Sequence, residues 1–298
     1  MPTCSFGCAM GTNCPHKIGF RRLRGSLTPV FPVFLVVLIG CATGGPEPSP
    51  EPGTTMYHEA SKEAYESALS AFERRDYSIA IERFERVRNR YPQSPHAVLA
   101  ELRVADALFA QDRFLEAADA YRTFVSLRPA HPEADFAAFR EGLSLMRQAP
   151  SDLWIMPPAH EKDLTNVRKV TTVLRRFLED YPESEYSTEA QELLEQALGR
   201  LASHELYVAD FYRKRGQWQA VVFRLETVLG TYSGLGFDAE AKVGLAEAYL
   251  SLDEPLLGKA MELLDEVLAE EEADPATTER ARKLRESWER RKDKGRDR

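Results

Sequence analysis

The chain has 298 residues and carries 39 lysines and arginines against 47 aspartates and glutamates, for a formal net charge of −8 at pH 7. Its first forty residues hold four of the basic residues and no acidic one, so the remainder has 39 − 4 = 35 basic residues against 47 acidic ones, a net charge of −12. We expect no nucleic-acid binding, because phosphate binding needs a basic surface.

The amino terminus has the layout of a lipoprotein signal peptide. A basic segment, residues 17–24, precedes an apolar stretch over residues 27–39 that is too short to span a bilayer comfortably. The string Leu38-Ile39-Gly40-Cys41 follows, and it resembles the bacterial lipobox, whose cysteine is lipidated and becomes the first mature residue. We therefore predict a signal peptide over residues 1–40 and an acyl chain such as palmitate on Cys41. The alternative is an uncleaved anchor that ends in cysteine by chance.

The other cysteines agree with export. Three of them precede the predicted cleavage site, namely Cys4, Cys8 and Cys14. The mature chain would keep only Cys41, so no disulfide is expected. With His16, the early cysteines lack a second ligand pair at zinc-finger spacing, so we expect no metal site. The residues that follow, 41–55, are rich in proline and glycine and predict a flexible tether between the lipid and the folded domain.

A helical-hairpin pattern occurs twice between residues 76 and 129. Each anchor of the first copy recurs 37 residues later, as 114 − 77 = 37 shows for the first anchor. The anchors of the two copies are Tyr77, Ala80, Phe84 and Pro92, then Phe114, Ala117, Tyr121 and Pro129. In each copy a large residue opens the second helix, a small one lets it approach the first helix, and a proline ends it. This spacing is typical of tetratricopeptide repeats, which present helical surfaces to partner proteins.

Weaker copies of the same pattern begin at Val167, Trp218 and Leu257. We therefore predict an all-α fold, a tetratricopeptide-repeat α-solenoid of about five helical hairpins over residues 56–274. The first helices of the hairpins are predicted at residues 56–73, 95–110, 132–146, 188–213 and 238–251. The fourth is long enough to join two sub-arrays. Residues 275–298 are predicted to form a charged tail or a capping helix.

The third hairpin is interrupted by a loop over residues 148–163. Pro157-Pro158 forbid a continuous helix there. The loop also carries Trp154, Ile155 and Met156, whose apolar surface is costly to leave in water. We expect the loop to fold back on the array, with contact to a partner as the alternative.

No convergent set of reactive groups in the sequence indicates an enzyme. His204-Glu205 invites comparison with a zinc metalloprotease helix, but the second histidine should stand where the chain has Val208. The Gly-rich phosphate loops and the Gly-x-Ser-x-Gly motif of hydrolases do not occur. We therefore predict a binding protein that is not an enzyme and has no cofactor.

Three longer strings resemble the BamD (ComL) family of outer-membrane assembly lipoproteins. They are Tyr91-Pro92-x-Ser94-Pro95, Tyr181-Pro182-x-Ser184-x-Tyr186, and LASHELYVADFYRKRG over residues 201–216. With the lipobox, the resemblance covers about residues 56–270 and implies a lipid anchor in the outer membrane of a Gram-negative bacterium, facing the periplasm. The implied function is to promote the insertion of β-barrel proteins. The alternative is a tetratricopeptide lipoprotein scaffold for another periplasmic complex, such as one for cell division or polysaccharide export.

The resemblance also implies partners. The C-terminal hairpins would bind a BamA-like barrel protein, the N-terminal hairpins would hold unfolded outer-membrane protein substrates, and other assembly-machinery lipoproteins are further candidates. By position, Tyr212, Arg215 and Arg224 match family residues that face the barrel subunit. From the residues alone, Tyr212 could equally pack within its repeat and the arginines could be solvated. We expect Arg224 to face solvent in the isolated protein and a carboxylate in the complex.

Four residues are candidates for the substrate groove because they share the partner-facing side of the first helices: Tyr57, Tyr65, Arg103 and Phe109. Core packing is the alternative for Tyr65 and Phe109. The chain also departs from the family at one point. Glu141 precedes Gly142, where family members often carry a basic residue, although Arg140 stands one position earlier.

Overall fold

The computed structural model describes residues 51–149, 163–270 and 274–296, with side chains as far as residue 290. Within these ranges it contains eleven helices and no strand. The predicted signal peptide, Cys41, most of the tether and the centre of the loop 148–163 lie outside the described residues. The helices of the described part include none that is long and apolar enough to cross a membrane.

Ten of these helices form five successive hairpins, which confirms the predicted all-α solenoid. The first helices are α1 (Thr55–Glu73), α3 (Pro95–Ala110), α5 (Ala134–Gln148), α7 (Ser187–Arg213) and α9 (Asp238–Ser251). The second helices are α2 (Tyr77–Arg90), α4 (Phe114–Leu127), α6 (Thr165–Asp180), α8 (Trp218–Thr231) and α10 (Leu257–Ala269). The first four second helices pack both on their own first helix and on the first helix of the next hairpin. The buried apolar residues form three core clusters in chain order: the first includes Phe84 and Tyr121, the second Leu174 and Phe177, and the third Leu225 and Leu264.

The prediction for the third hairpin was wrong at both ends of its first helix. Helix α5 begins at Ala134 and continues to Gln148, whereas the sequence predicted residues 132–146. The chain makes a turn before the helix, in which the backbone N–H of Glu133 donates to Nδ1 of His131 at 3.1 Å. Pro132 therefore lies in this turn, although proline also suits a first helical position.

The hairpin turns repeat one backbone feature. Arg75 and Asp112, which are 112 − 75 = 37 residues apart, have φ angles of 64° and 59°, and Gly216 has 67° in the fourth hairpin. In the second turn, the residue after Asp112 donates its backbone N–H to the carbonyl of Leu108 at 3.0 Å. Such a left-handed residue with a backward bond satisfies carbonyls at the helix end and reverses the chain within a few residues.

Small residues allow the helices to approach each other closely. The predicted anchors Ala80 and Ala117 are both 0% exposed. Gly142 on α5 lies even closer to its neighbour, because a Cβ atom there would come within 2.5 Å of Cδ2 of Leu174 on α6. This contact brings the residues beside Gly142 into the space between α4 and α6.

Residues 275–296 form helix α11 (Pro275–Arg296), which packs on α9 and α10. Its inner side is apolar, with Ala281 0% exposed. Two ion pairs join it to the last hairpin, from Arg280 to Glu247 at 2.5 Å and from Arg285 to Asp265 at 2.7 Å.

Candidate partner-binding surfaces

The C-terminal part of α7 and the turn that follows it carry an exposed stripe, which we call the α7 stripe and define as Tyr207, Phe211 and Arg215. Tyr207 and Phe211 are four positions apart and lie on one side of the helix, and Arg215 follows two residues after the helix ends at Arg213. The side chains of Tyr207 and Phe211 are 39% and 42% exposed. Cζ of Arg215 lies 3.4 Å from the centroid of the Phe211 ring, and Nη1 of Arg215 donates to the Phe211 carbonyl at 3.1 Å. The stack holds the guanidinium in place while leaving its charge accessible to solvent.

A further exposed aromatic lies on the second helix of the same hairpin. Phe223 on α8 is 64% exposed. Exposed aromatic rings are costly in water and are enriched where proteins bind one another. The fourth hairpin therefore offers aromatic rings together with a fixed positive charge.

Tyr212, the first of the predicted contact residues, lies at the edge of the core. It is partly buried, packs against the third core cluster, and meets the Phe211 ring edge-on at 5.4 Å between centroids. Its carbonyl accepts the backbone N–H groups of Arg215 and Gln217, both at 3.1 Å, which closes the turn after α7. Tyr212 therefore packs within its own repeat, which was one of the two alternatives left open by the sequence. Its ring also supports Phe211 of the α7 stripe.

Arg224 does not face solvent as the sequence analysis expected. Its Nη1 lies 2.9 Å from Oε2 of Glu205, and the two side chains are only 32% and 11% exposed. Glu205 points from α7 toward α8, where its buried carboxylate needs a counter-charge. The expectation of a solvent-facing Arg224 was therefore wrong, because an internal partner already neutralises much of its charge. Sequence reasoning had considered Glu205 only as part of a failed zinc motif.

The second and third hairpins hold a cluster of polar side chains, which we call the arginine network: Arg103, Asp106, Tyr121 and Arg140. Nη1 of Arg103 lies 2.5 Å from Oδ2 of Asp106. The Tyr121 hydroxyl donates to Oδ1 of Asp106 at 2.5 Å, and Nε of Arg140 donates to the Tyr121 oxygen at 3.2 Å. Arg103 thus binds the Asp106 carboxylate directly and Arg140 is linked to it through the Tyr121 hydroxyl, so the two guanidinium groups and one carboxylate give the network a net charge of +1.

Burial and neighbouring groups keep the proton on two members of this network. Burial raises the pKa of the Tyr121 hydroxyl and the Asp106 carboxylate raises it further, so this hydroxyl stays a donor. Burial alone would lower the pKa of Arg103, but the hydrogen bonds and charges of Asp106 and Tyr65 together outweigh that effect and raise it. The Arg103 guanidinium therefore remains charged.

Aromatic rings surround the arginine network. Cζ of Arg140 lies 3.9 Å from the centroid of the Phe109 ring, one of the four groove candidates. Tyr65 is partly buried and packs against the first core cluster, with its ring 5.5 Å from that of Phe84. Arg140 was not among the groove candidates, because only the packing of α5 on α3 and α4 places it beside Phe109. The structure thus brings Arg103, Phe109 and Arg140 into one region.

The structure contradicts the prediction for Tyr57. The sequence made this residue a candidate for the substrate groove, but its side chain is only 2% exposed. Its ring meets Tyr91 edge-on at 5.3 Å, and its hydroxyl accepts the backbone N–H of Gln93 at 3.3 Å. Tyr57 therefore belongs to the core between the first and second hairpins, since helix α1 presents it to α2 and α3 rather than to a groove.

Comparison with known proteins identifies relatives over most of the chain. A family model described as "Outer membrane lipoprotein" (YfiO) matches residues 58–278. The chain is 27% identical to the outer membrane protein assembly factor BamD of Neisseria gonorrhoeae over 224 residues, which covers 74% of this chain and 83% of that protein. It is also 27% identical to the BamD of Vibrio cholerae over 202 residues, which covers 66% of this chain and 80% of that one.

Among solved structures, the chain is similar to tetratricopeptide-type repeats. One is a putative kinesin light chain of Podospora anserina, with 18% identity, a TM-score of 0.35, and coverage of 72% of this chain and 95% of that chain. Another is a thermophilic tetratricopeptide protein of Thermus thermophilus, with 18% identity, a TM-score of 0.31, and coverage of 75% of this chain and 97% of that chain.

Proposed function

The chain belongs to the YfiO family of outer membrane lipoproteins, and on this basis we propose that it acts in outer-membrane protein assembly as a lipid-anchored helical scaffold. Its curated relatives are named as assembly factors for outer membrane proteins. The lipobox at Cys41 supports an anchor in the outer membrane, with the repeats in the periplasm. A solenoid that binds other proteins fits this role without catalysis or a cofactor.

The α7 stripe is the proposed contact with a BamA-like barrel protein. The observation that carries this step is the stacked pair of Phe211 and Arg215, which offers an exposed ring and an oriented guanidinium at the C-terminal end of a long helix. Aromatic residues and arginine contribute most to protein interfaces, because they bury large areas and bind carboxylates in a bidentate geometry. Tyr212 supports this surface from the core side. Arg224 contributes by holding α8 against α7 through Glu205.

The arginine network is the proposed site for unfolded outer-membrane protein substrates. Its net positive charge and its neighbouring rings, Phe109 and Tyr65, suit an extended apolar segment that ends in a carboxylate. Arg103 and Arg140 would share this carboxylate with Asp106, while the apolar side chains of the segment would pack on the rings. Other lipoproteins of the assembly machinery would then use surfaces outside these two.

The experiment is co-purification of the full chain, extracted from solubilised envelopes in mild detergent. We expect an Omp85-type barrel protein to co-purify at a fixed ratio. The Phe211→Ala, Arg215→Glu double variant should lose it while keeping its melting temperature. Recovery of cell-division or polysaccharide-export proteins, with no barrel protein, would overturn the proposal in favour of another periplasmic scaffold.

A further inference from the structure

A groove lies between the second helices of the second and third hairpins, away from both surfaces described above. Helices α4 and α6 form its walls and α5 forms its floor, and its volume is about 660 Å³. Five of its lining residues are apolar: Val125, Pro129, Ala138, Val173 and Phe177. Glu141 lies on the floor among them, with its side chain half-buried. We call this space the Glu141 groove.

Glu141 lies beside a close crossing of α5 and α6. Gly142 has no side chain, so α5 lies close to Leu174 of α6, whose Cδ2 would be 2.5 Å from a Cβ atom at this position. The Glu141 carboxylate, one residue earlier, lies in the space between α4 and α6. Burial raises its pKa to about 7; the charges of Arg122 and Arg176 oppose this shift and that of Asp119 adds to it. No hydrogen bond to the carboxylate contributes from the described residues.

The charges around Glu141 leave it without a counter-charge. Nη2 of Arg122 lies 2.6 Å from Oδ1 of Asp119 on α4, and Nε of Arg176 lies 3.1 Å from Oδ2 of Asp180 on α6. Both arginines are therefore already paired with a carboxylate on their own helix. The sum over these five side chains is −1, and among the described residues no basic side chain forms an ion pair with the Glu141 carboxylate.

We propose that the Glu141 groove binds a segment of a partner protein that presents one arginine between apolar residues. A half-buried carboxylate with apolar walls suits a guanidinium, which is weakly hydrated and can donate two parallel hydrogen bonds to both oxygens. The aliphatic stem of the arginine and its apolar neighbours pack on Val125, Val173 and Phe177. A neutral segment would leave the carboxylate buried without a partner, which is costly. A second anion would be repelled.

This inference does not depend on the proposed barrel-protein contact, because no residue of the α7 stripe lines the Glu141 groove. An experiment can therefore contradict the Glu141 groove proposal without contradicting the proposed barrel-protein contact, and the reverse. The probe is an array of twelve-residue peptides with a central arginine flanked by leucine, valine and phenylalanine in varied order. The matched array has citrulline, the uncharged isostere, in place of arginine. The full chain in detergent is applied to both.

We expect the arginine peptides to bind on the order of 10-fold more tightly than their citrulline counterparts at pH 8. Glu141→Gln should abolish this preference, and Thr172→Trp, which fills the groove from an exposed position on α6, should abolish binding to both arrays. Glu179→Gln, at an exposed glutamate of the same helix, should behave as wild type. The preference for arginine should also fall below pH 7, by up to about tenfold per pH unit, as Glu141 takes up a proton.

Three results would overturn the inference: no binding to either array, equal binding of arginine and citrulline peptides, or an arginine preference that survives in Glu141→Gln. The melting temperature of each variant is measured alongside. Glu141→Gln is isosteric and removes a buried charge, so a loss of preference with an unchanged or higher melting temperature assigns the effect to the groove and not to unfolding.

Discussion

Nη1 of Arg224 lies 2.9 Å from Oε2 of Glu205, and this ion pair joins the two helices of the fourth hairpin. The same hairpin carries the α7 stripe, so the stability of this joint and the presentation of the stripe are linked. A substitution at Arg224 acts first on the contact between α7 and α8, and only through it on a partner.

Arg224→Glu should destabilise the protein. It would set two carboxylates against each other at a partly buried site, and we expect the free energy of unfolding to fall by about 2 kcal/mol. Urea or thermal unfolding measures this. The exchanged pair, Glu205→Arg with Arg224→Glu, should recover part of the loss, because it restores opposite charges. An unchanged melting temperature in the single variant would show that the ion pair does not form in solution.

Arg215→Glu should leave the stability nearly unchanged but weaken binding to the barrel protein. Arg215 is exposed in the turn after α7, and its side chain donates to the carbonyl of Phe211 in the last turn of that helix, so the stability should change by no more than about 0.5 kcal/mol. Affinity for the barrel protein should fall by about tenfold or more, since the charge reversal acts at the interface. The control is Arg86→Glu, at an exposed arginine 2.6 Å from Glu82 on α2. An equal loss of affinity in this control would assign the effect to net charge.

Arg140→Met should weaken substrate recognition more than it weakens the fold. Methionine keeps an apolar contact with Phe109 but removes the guanidinium and its bond to Tyr121, which should cost about 1 kcal/mol. Binding of peptides from the C-terminus of an outer-membrane protein would be compared with free and amidated ends. Wild type should prefer the free carboxylate, and the variant should lose that preference. If the Arg140→Met variant still preferred the peptide with the free carboxylate, Arg140 would not bind that carboxylate.

The Glu141 carboxyl should give a distinct pH dependence. Its folded pKa of about 7 lies above the ordinary value of 4.5, so between these pH values the folded protein holds a proton that the unfolded chain has lost. Stability relative to Glu141→Gln should therefore rise as the pH falls from 7 to 4.5, by on the order of 1 kcal/mol. Burial also lowers the pKa of His96, so the folded protein loses stability below pH 6.5. This loss is the same in wild type and in Glu141→Gln, so it cancels in the difference between the two proteins. A flat difference would show that Glu141 is solvated.

Cys41→Ser should block processing and anchoring. Stable membrane attachment needs acyl chains, and serine cannot receive the thioether-linked lipid of a lipobox cysteine. The variant should keep its signal peptide, and its folded domain should leave the membrane fraction when that peptide is removed by protease. Cleavage and detergent partition identical to wild type would contradict lipidation at this residue.

The repeat frame could be predicted from the sequence because its anchors are local. The bounds of Pro95–Ala110 and Asp238–Ser251 agree with the predicted first helices to the residue. The start of α3 has a local signal, Ser94, whose Oγ accepts the backbone N–H of His96 at 3.1 Å. Local chemistry of this kind acts within one turn of a helix.

The contacts between helices could not be predicted in this way. Glu205 and Arg224 are 19 residues apart and meet only because α7 and α8 turn particular sides toward each other. The prediction for Tyr57 was wrong for the same reason. A first helix has one side that packs on the neighbouring helices and another that faces the groove, and the sequence does not show on which of them a given residue lies. Arg140 reaches Phe109 only through the packing of α5 on the preceding hairpin. Periodicity identifies which residues share a side of a helix, but the neighbouring helix decides what that side meets.

Helix α11 has a consequence for how copies of this protein meet one another. A repeat array that ends on an open apolar side can stack end to end with a second copy and grow into a filament. Here Ala281 and Leu284 face the last hairpin, while charged neighbours such as Arg282 and Glu289 face outward. Helix α11 thus covers the apolar end of the last hairpin with a charged surface, which disfavours end-to-end stacking of two copies through this face.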